Sequence, residues 1–428
     1  MLLASTTQVR FLQARWRVMC GLWLVLCACG TTVRARDAAE DRLAVFDVVW
    51  QVVGERYYDP QLRGVNWAAQ RAKYRPQAAQ ARDNTEFYAV LRQMINALQD
   101  SHTRIFAPSE KFDWQKPRYI GVGLTVREIA GQPVVVSVES DTAAARAGLR
   151  VGDVIDTIDD SSALEVFARR QSEQAASTPM AARLRAMATL FSGADGSLVR
   201  VGWRDKKERL RSATLRRAWH ELVPGLRIQR LPDNYFVVEF DLFTDEVALN
   251  LTRAWRGPLQ NARGVVFDLR GNGGGSAQAM ADIASALLPL GTRLGTFTDR
   301  QGHVVLEPQT RGALLWAADT IPRFAGPVAV LTSARTASAA EVFVAMLRET
   351  GRARIVGQAT CGCVLAINRH ALPDGGLLDV SEMSYHTALG TFLEGVGVAP
   401  DETVTVTRQE IIKGQDAALM KALKSLGR

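Results

Sequence analysis

Lysine is scarce in the second half of this 428-residue chain, which carries none between Lys207 and Lys413. Cysteine is scarce as well, because three of the five cysteines lie within the first 29 residues. The remaining two, Cys361 and Cys363, are too few to form a zinc site alone. The net charge of +8 comes from scattered arginines and not from a dense basic block interleaved with aromatics, so nucleic-acid binding is not indicated.

Long hydrophobic runs are also missing at the N-terminus. The apolar run at residues 18–29 follows three arginines and is too short to span a bilayer comfortably. It suits the core of a signal peptide, which we predict over residues 1–29. Leu26-Cys-Ala-Cys29 resembles a bacterial lipoprotein cleavage box, so lipidated Cys29 would anchor the protein to a membrane. Ordinary cleavage after Ala35 is the alternative, and both predict a location in the bacterial cell envelope, periplasmic or membrane-anchored.

The length predicts two or three domains, since 428 residues exceed what one ordinary core accommodates. Apolar residues recur with a helical period after the leader and again over Thr85–Leu98, which predicts a helical N-terminal region over residues 38–117. A polar cluster containing Ser101 and His102 follows the second helix. A lone histidine is most often a surface loop residue, but this position directly behind an apolar helix makes His102 a candidate site residue.

From about Tyr119 the apolar period changes to two, which predicts strands over residues 120–126 and 133–138. Two motifs, Gly121–Leu124 and Ala147–Asp153, resemble the carboxylate-binding loop and the helix-to-strand turn of a PDZ domain, here spanning residues 118–216. The resemblance implies that the loop N–H groups hold the C-terminal carboxylate of a peptide, which adds a strand to the sheet. The implied peptide-binding residues are Gly121, Val122, Gly123 and Leu124. An Ala- and Arg-rich insert between residues 161 and 194 exceeds the usual PDZ spacing.

Strands and helices alternate from about His220, which predicts an α/β core over residues 217–410, with a C-terminal helix over residues 411–428. One helix of this core is predicted over residues 249–259. Gly264–Leu269 is an almost continuous apolar strand, as in a parallel sheet buried on both faces. The Gly-rich loop at residues 271–275 follows it but lacks the Gly-Lys-Ser/Thr ending of a nucleotide-binding loop. This loop is either a tight structural turn or a set of backbone N–H groups that face an anion.

Ser338 lies where a predicted strand, Val328–Leu331, gives way to a predicted helix over residues 339–349. At that point a hydroxyl meets unpaired backbone N–H groups and the positive end of the helix dipole. Ser338 is therefore either a helix N-cap or a nucleophile, whose attacked carbonyl would develop charge beside those donors.

Several stretches, in this order, resemble the C-terminal processing (tail-specific) serine peptidases and their tricorn-core relatives. They are Leu98–Thr103, the PDZ turn, Asp268–Gly275, Thr336–Glu341 and Leu393–Asp401. The resemblance covers most of residues 40–410 and implies an α/β protein with a helical N-terminal region, a PDZ-like β domain and a crotonase-like α/β peptidase core. It also implies that Ser338 is the nucleophile and that N–H groups of Ala339 and of Gly273 or Gly274 form the oxyanion hole.

One position departs from the tail-specific branch, because Cys363 stands where that branch has its general-base lysine. The tricorn-like branch instead uses a Ser-His pair from the N-terminal region and a late Glu, which Ser101, His102 and Glu394 match. Imidazole suits the role of base, since its ordinary pKa lies near neutrality. Glu394 would orient it directly or through Ser101.

The resemblance thus implies an envelope serine endopeptidase that cuts peptides or unfolded protein tails through an acyl-enzyme, with no metal, nucleotide or nucleic acid. A catalytically inactive member that binds peptides is the second hypothesis. His370 and His386 are rival candidates for the base, because they follow the Cys361 loop closely in the chain. Cys361 and Cys363 would either pair in an oxidising compartment or remain two free thiols.

Overall fold

The computed structural model describes residues 23–110, 118–221, 225–311 and 323–427, with side chains from residue 39 onward. The predicted signal peptide at residues 1–29 lies largely outside the described residues, as does the side chain of Cys29. Among the helices that the structure describes, none is long and apolar enough to cross a membrane.

Three helices and a short strand form the N-terminal region: α1 (Trp23–Arg56), α2 (Trp67–Gln80), α3 (Asn84–Asn96) and β1 (Arg104–Phe106). Asp83 caps α3, because its side chain accepts a hydrogen bond from the Glu86 N–H at 2.9 Å. The helices pack through fully buried side chains that include Phe46, Phe87 and Leu91. The helix predicted over Thr85–Leu98 is confirmed, with its ends displaced by one or two residues.

The middle region (residues 118–221) is built on an antiparallel sheet with helices packed against it. Its strands are β2 (Arg118–Gly121), β3 (Leu124–Ile129), β4 (Gln132–Val138), β5 (Val154–Ile158), β6 (Ser161–Ser162), β7 (Leu198–Arg204), β8 (Leu210–Arg216) and β9 (Ala218–Glu221), and its helices are α4 (Ala143–Ala147), α5 (Ala163–Ser172) and α6 (Pro179–Ala188). The sheet order is β3-β4-β5-β7-β8, with β6 paired to β5. Strands β2 and β9 pair separately and lead the chain into and out of this region.

The remaining chain forms the core. Its strands are β10 (Leu226–Arg230), β11 (Tyr235–Phe240), β12 (Gly264–Asp268), β13 (Thr296–Thr298), β14 (Val304–Leu306), β15 (Val328–Thr332), β16 (Arg354–Gly357), β17 (Ala366–Ala371), β18 (Leu377–His386) and β19 (Glu402–Thr403), and its helices are α7 (Asp245–Trp255), α8 (Ala277–Ser285), α9 (Ala339–Glu349), α10 (Arg408–Lys413) and α11 (Ala417–Ser425). The main sheet has the order β10-β11-β12-β15-β16-β19, and every pair after β10–β11 is parallel.

Both faces of the main sheet are covered, which explains the continuous apolar run of β12. Phe236 and Phe267 face α7, α8 and α9, whereas Val266 and Leu331 face α11. Because β12 and β15 are adjacent and parallel, the loops that follow them emerge at the same edge of the sheet. The fold therefore brings the Gly-rich loop and the Ser338 turn together.

A smaller sheet joins the N-terminal region to the core. Its order is β1-β18-β13-β14, with β17 also paired to β18. In the register between β1 and β18, Arg104 lies opposite Asp379. This pairing holds the polar cluster that precedes β1 against the core.

Three sequence-based element predictions need correction. The predicted strand over residues 120–126 divides into β2 and β3, because Gly123 adopts φ +81° between them. The predicted C-terminal helix is two helices, α10 and α11, because Gly414 adopts a left-handed conformation that caps α10. The helix predicted over residues 249–259 starts earlier, at Asp245, because the Thr244 side chain caps the N–H of Val247.

The packing between α9 and the main sheet predicts a large cost for removing Phe343, whose ring contacts those of Phe243 and Phe267. Phe343→Ala should lower the free energy of unfolding by about 3–5 kcal/mol, because the deletion leaves a cavity in a close-packed core. Chemical denaturation followed by circular dichroism measures the change. Met420→Ala is the control, since Met420 is 67% exposed and its loss should change stability by no more than about 0.5 kcal/mol. Equal stabilities of the two variants would contradict the packing described.

Candidate active site

Ser338 occupies the N-cap position of α9 with an unusual backbone conformation. Its φ is +57° and its ψ is −126°, whereas an ordinary N-cap residue is extended. A positive φ in a residue other than glycine is strained and persists only where the surrounding structure enforces it. The strain therefore separates Ser338 from an ordinary helix cap.

The Gly-rich loop packs directly against this turn. A Cβ atom on Gly274 would lie 2.6 Å from the Cβ of Ser338 and 3.1 Å from the Ala339 nitrogen, so only glycine is accommodated there. Asn272 connects the two loops, because its carbonyl accepts from the Ala337 N–H at 3.0 Å while its Nδ2 donates to the Phe240 carbonyl at 2.9 Å. The two loops that the sequence predicts to cooperate are thus in contact.

The predicted oxyanion donors differ in their availability. Within the described residues, the Ala339 N–H at the start of α9 makes no hydrogen bond. The Gly273 N–H donates to the Asp241 carbonyl at 3.0 Å, and the Gly274 N–H donates to Asn272 Oδ1 at 2.9 Å. Only Ala339 is therefore free to bind a developing oxyanion without first losing another hydrogen bond.

Glu341 is a site residue that the sequence analysis missed. Its side chain is fully buried and accepts hydrogen bonds from the N–H groups of Ser338 (3.2 Å), Gly362 (2.7 Å) and Cys363 (2.8 Å) and from the Thr360 hydroxyl (2.5 Å). Burial raises its pKa, and these hydrogen bonds act in the opposite direction. In the sequence, the spacing of Ser338 and Glu341 is that of a helix capping box, and this pattern could have identified Glu341. What that pattern does not disclose is that Glu341 also holds the loop at residues 360–363.

Cys361 and Cys363 form a disulfide, so the alternative of two free thiols is not what the structure contains. Both are buried, and the Cys363 carbonyl accepts a hydrogen bond from the Ser338 N–H at 2.8 Å. The Cys363 sulfur lies 3.5 Å from the Ser101 hydroxyl oxygen. Cys363 thus contacts both the Ser338 turn and Ser101.

His102 lies in a charged cluster beside Ser101. The backbone N–H of His102 donates to Asp100 Oδ1 at 2.8 Å. The Nδ1 atom of its imidazole is buried without a hydrogen-bond partner in the described part of the chain. Burial lowers the pKa of His102 to about 4, with Asp100 opposing that shift and Arg104 and Arg185 adding to it. The imidazole is therefore neutral at pH 7 but a weaker base than an exposed histidine, and no hydrogen bond joins it to Ser338 among the described residues.

Glu394 is buried and close to Ser101. Its Oε2 accepts from the Val364 N–H at 2.8 Å, whereas its Oε1 is buried with no hydrogen-bond partner among the described residues and lies 3.7 Å from Arg63 Nη1. The nearby Ser177 exchanges hydrogen bonds with Ser101. Burial raises the pKa of Glu394 to about 7, while the Ser177 side chain, the Val364 N–H and the charge of Arg63 oppose this rise. Ser177 lies in the insert of the middle region, where no sequence signal pointed to it.

The rival histidines have partners elsewhere. His370 Nε2 lies 2.6 Å from Glu382 Oε1, between the paired strands β17 and β18. His386 pairs with Thr296 at the end of β18, and its ring packs against Phe392. Neither histidine contacts the Ser338 turn among the interactions of the described residues.

The loop predicted to bind a peptide carboxylate lies at the start of β3. The carbonyls of Val122 and Gly123 accept hydrogen bonds from Ala144 and Glu139. Towards the other end of β3, Arg183 on α6 pairs with Glu128, with its Nε at 3.0 Å from the carboxylate. This ion pair bridges the space between α6 and β3. In the part of the chain with described side chains, no group of three or more His, Cys, Asp or Glu residues is arranged to hold a metal ion.

Two segments match known protein families. Residues 237–404 match Peptidase family S41, and residues 38–96 match the Tricorn protease C1 domain. The chain is 28% identical to a carboxyl-terminal-processing protease of Picosynechococcus over 90% of this chain and 89% of the relative. It is 27% identical to the chloroplastic carboxyl-terminal-processing peptidase 2 of Arabidopsis thaliana over 83% of this chain and 68% of the relative.

Solved structures share the fold. The photosystem II D1 C-terminal processing protease matches with a TM-score of 0.58 and 23% identity over 90% of this chain and 97% of that chain. Mature CPAF matches with a TM-score of 0.64 and 13% identity over 91% of this chain and 96% of that chain. At these identities the similarity extends to the fold alone.

The loop at residues 360–363 donates three hydrogen bonds to the Glu341 carboxylate, so a substitution at Glu341 should destabilise this loop. Glu341→Gln should lower the free energy of unfolding by about 1–3 kcal/mol, since an amide NH₂ would face backbone N–H groups that need an acceptor. Hydrogen exchange measured by mass spectrometry should show faster exchange in the peptide that contains Gly362 and Cys363. Glu246→Gln on the exposed surface of α7 is the matched control and should change neither quantity. Unchanged exchange in Glu341→Gln would contradict the role assigned to this carboxylate.

Proposed function

Because residues 237–404 match Peptidase family S41, we propose that the protein is a serine endopeptidase that cuts peptides or unfolded protein tails. The observation that carries this proposal is the strained Ser338, which starts a helix beside the free N–H of Ala339. We place the enzyme in the bacterial cell envelope, with anchoring through lipidated Cys29, on the strength of the apolar leader.

In the proposed reaction the Ser338 hydroxyl oxygen attacks the carbonyl carbon of the scissile peptide bond. His102 takes the hydroxyl proton, and the Ala339 N–H stabilises the negative charge that develops on the carbonyl oxygen. Gly273 or Gly274 would supply the second donor by exchanging its internal hydrogen bond for the oxyanion. The C–N bond then breaks, and the departing amine receives the proton from His102. Water attacks the resulting ester and releases the acid product and Ser338.

Ser101 and Glu394 are proposed to support the base. Ser177 lies near Glu394 and exchanges hydrogen bonds with Ser101, so the carboxylate would act on the segment that carries His102 without touching the imidazole. An ionised Glu394 would also favour the imidazolium that forms when His102 takes the proton. The burial that raises the pKa of Glu394 makes its ionised form available only above about pH 7.

The middle region is proposed to be a PDZ-like domain that binds the substrate. The loop of Gly121, Val122, Gly123 and Leu124 would hold a C-terminal carboxylate, and the peptide would pair with the edge of β3. The Arg183–Glu128 ion pair spans the neighbouring space, so peptide entry would require that pair to open.

A catalytically inactive, peptide-binding protein is the second candidate. Three observations favour it: Cys363 replaces the expected lysine, His102 makes no hydrogen bond with Ser338 among the described residues, and the Gly273 and Gly274 N–H groups are already engaged. The two candidates differ in whether Ser338 reacts as a nucleophile.

A fluorophosphonate probe tests the nucleophile directly. We expect the probe to label the wild-type protein and to leave Ser338→Ala unlabelled, because an activated serine hydroxyl attacks the phosphorus, releases fluoride and is phosphonylated. Intact-mass spectrometry measures the added mass. Ser172→Ala is the matched control, since Ser172 is exposed on α5, and its labelling should equal that of the wild type.

His102→Ala should lower the labelling rate by about 10²–10⁴-fold, the usual contribution of a general base. Labelling that persists in His102→Ala would contradict the base assignment. No labelling of the wild type, with peptide binding retained, would favour the inactive candidate.

The pH dependence tests Glu394. We expect kcat/KM to fall as the pH drops through about 7, because protonation neutralises the Glu394 carboxylate while His102, with a pKa of about 4, stays neutral. Glu394→Gln should remove this acid limb and lower the activity at pH 8. Glu382→Gln, which removes the partner of His370, should keep the limb. An unchanged acid limb in Glu394→Gln, or its loss in Glu382→Gln, would contradict the assignment.

A further inference from the structure

Glu394 has one buried carboxylate oxygen that lacks a hydrogen-bond donor. Its Oε2 accepts from the Val364 N–H at 2.8 Å, whereas its Oε1 makes no hydrogen bond among the described residues. The side chain is only 2% exposed, so the carboxylate is largely shielded from bulk water. In the part of the chain with described side chains, Arg63 is the one cation at ion-pair distance, with its Nη1 atom 3.7 Å from Oε1.

Arg63 lies in the turn that follows α1, and a neighbouring carboxylate fixes the backbone of this turn. The Asp59 side chain accepts hydrogen bonds from the Gln61 N–H at 2.9 Å and from the Arg63 N–H at 2.7 Å. Arg63 adopts φ +55°, a left-handed conformation that a residue other than glycine rarely takes. Leu62 beside it is buried in the core of the N-terminal region. The turn thus holds a guanidinium against Glu394, which is far away in the sequence.

The segment that carries His102 shares the charges around this ion pair. The Asp100 carboxylate accepts a hydrogen bond from the backbone N–H of His102 at 2.8 Å, and its charge acts on both Glu394 and Arg63. Arg63 is not among the charged groups that shift the pKa of His102. Arg63 therefore acts on the proposed base indirectly, through the carboxylate of Glu394.

We propose that Arg63 is a positioning residue of the peptidase, which pairs with Glu394 and keeps that carboxylate ionised while His102 accepts the proton of Ser338. This inference rests on the proposed function. Burial and a second carboxylate, that of Asp100, favour the protonated form of Glu394, and a cation at ion-pair distance opposes both. A guanidinium suits this role because it stays charged throughout the working pH range.

The groups around Glu394 determine the direction of the expected pH effect. Burial raises the pKa of Glu394 to about 7, and the charge of Asp100 adds to this rise. Three groups oppose the rise: the Ser177 side chain, the Val364 N–H and the charge of Arg63. Tyr58 also faces Glu394, but burial raises the pKa of Tyr58 to about 12, so its hydroxyl stays neutral near pH 7. Loss of the Arg63 charge therefore raises the pKa of Glu394.

Glutamine and lysine at position 63 provide the sharpest comparison, because glutamine removes the charge and lysine retains it. Arg63→Gln should move the acid limb of kcat/KM to higher pH by about one unit. Its kcat/KM should then be about fivefold below that of the wild type at pH 7 but within about twofold at pH 9, where Glu394 is ionised in both proteins. Arg63→Lys should keep the acid limb near its wild-type position.

Two further variants separate this role from a general loss of structure. In the Glu394→Gln background, Arg63→Gln should lower kcat/KM by no more than about twofold, because Arg63 acts through that carboxylate. Arg75→Gln is the matched control, since Arg75 pairs with Asp47 at 3.0 Å in the same region, and its acid limb should match that of the wild type. Thermal unfolding verifies that each variant is folded at pH 7 and at pH 9.

An unmoved acid limb in Arg63→Gln, or an equal loss of kcat/KM at pH 7 and at pH 9, would overturn the inference while the wild type remains an active peptidase. A wild type that neither cleaves an unfolded substrate nor reacts with the fluorophosphonate would overturn the proposed function and this inference together.

Discussion

The hydrogen bonds of one buried carboxylate hold the candidate site together. Glu341 accepts from the Ser338 N–H and from three donors in the loop at residues 360–363. Removing a carboxylate from water is costly, and four donors offset that cost here. The Ser338 N–H also donates to the Cys363 carbonyl in the same loop. Glu341 and Cys363 therefore both hold the strained backbone of Ser338. The conformation that makes Ser338 a candidate nucleophile depends on this closed arrangement.

The proposed base comes from the N-terminal region, whereas Ser338 lies in the core. Cys363 lies between Ser101 and Ser338, because its carbonyl accepts from the Ser338 N–H and its sulfur lies 3.5 Å from the Ser101 hydroxyl oxygen. The pairing of β1 with β18 brings Ser101 and His102 to this position, since β1 starts two residues after His102 and β18 leads on to the loop of Glu394. The insert of the middle region then packs against Ser101 and against the loop of Cys361 and Cys363. Three regions of the chain thus converge on one buried cluster of hydroxyl and carboxylate groups.

Much of the fold follows from patterns that are local in sequence. The helix after Ser338 and the strands β12 and β15 are predicted within a residue or two, because each combines a clear apolar pattern with a definite stop. The contact between the Gly-rich loop and the Ser338 turn also follows, since adjacent parallel strands end at one edge. The division of the strand at Gly123 depends on a single backbone torsion, which periodicity does not disclose.

The candidate site is less predictable, because burial and long-range hydrogen bonds decide it. Ser338, His102 and Glu394 are named through the family resemblance, and their roles stay predictions. Ser177 carries no motif, and its contact with Ser101 exists only because the insert docks on another region. The pKa values of His102 and Glu394 likewise depend on burial, which arises from the packing of segments that are far apart in sequence.

The central claim is that Ser338 catalyses peptide-bond hydrolysis. The most direct test incubates the purified protein with an unfolded protein substrate and maps the product termini by mass spectrometry beside Ser338→Ala. The account predicts new termini with the wild type and none with Ser338→Ala. Identical products from both proteins, or an intact substrate with both, would contradict it.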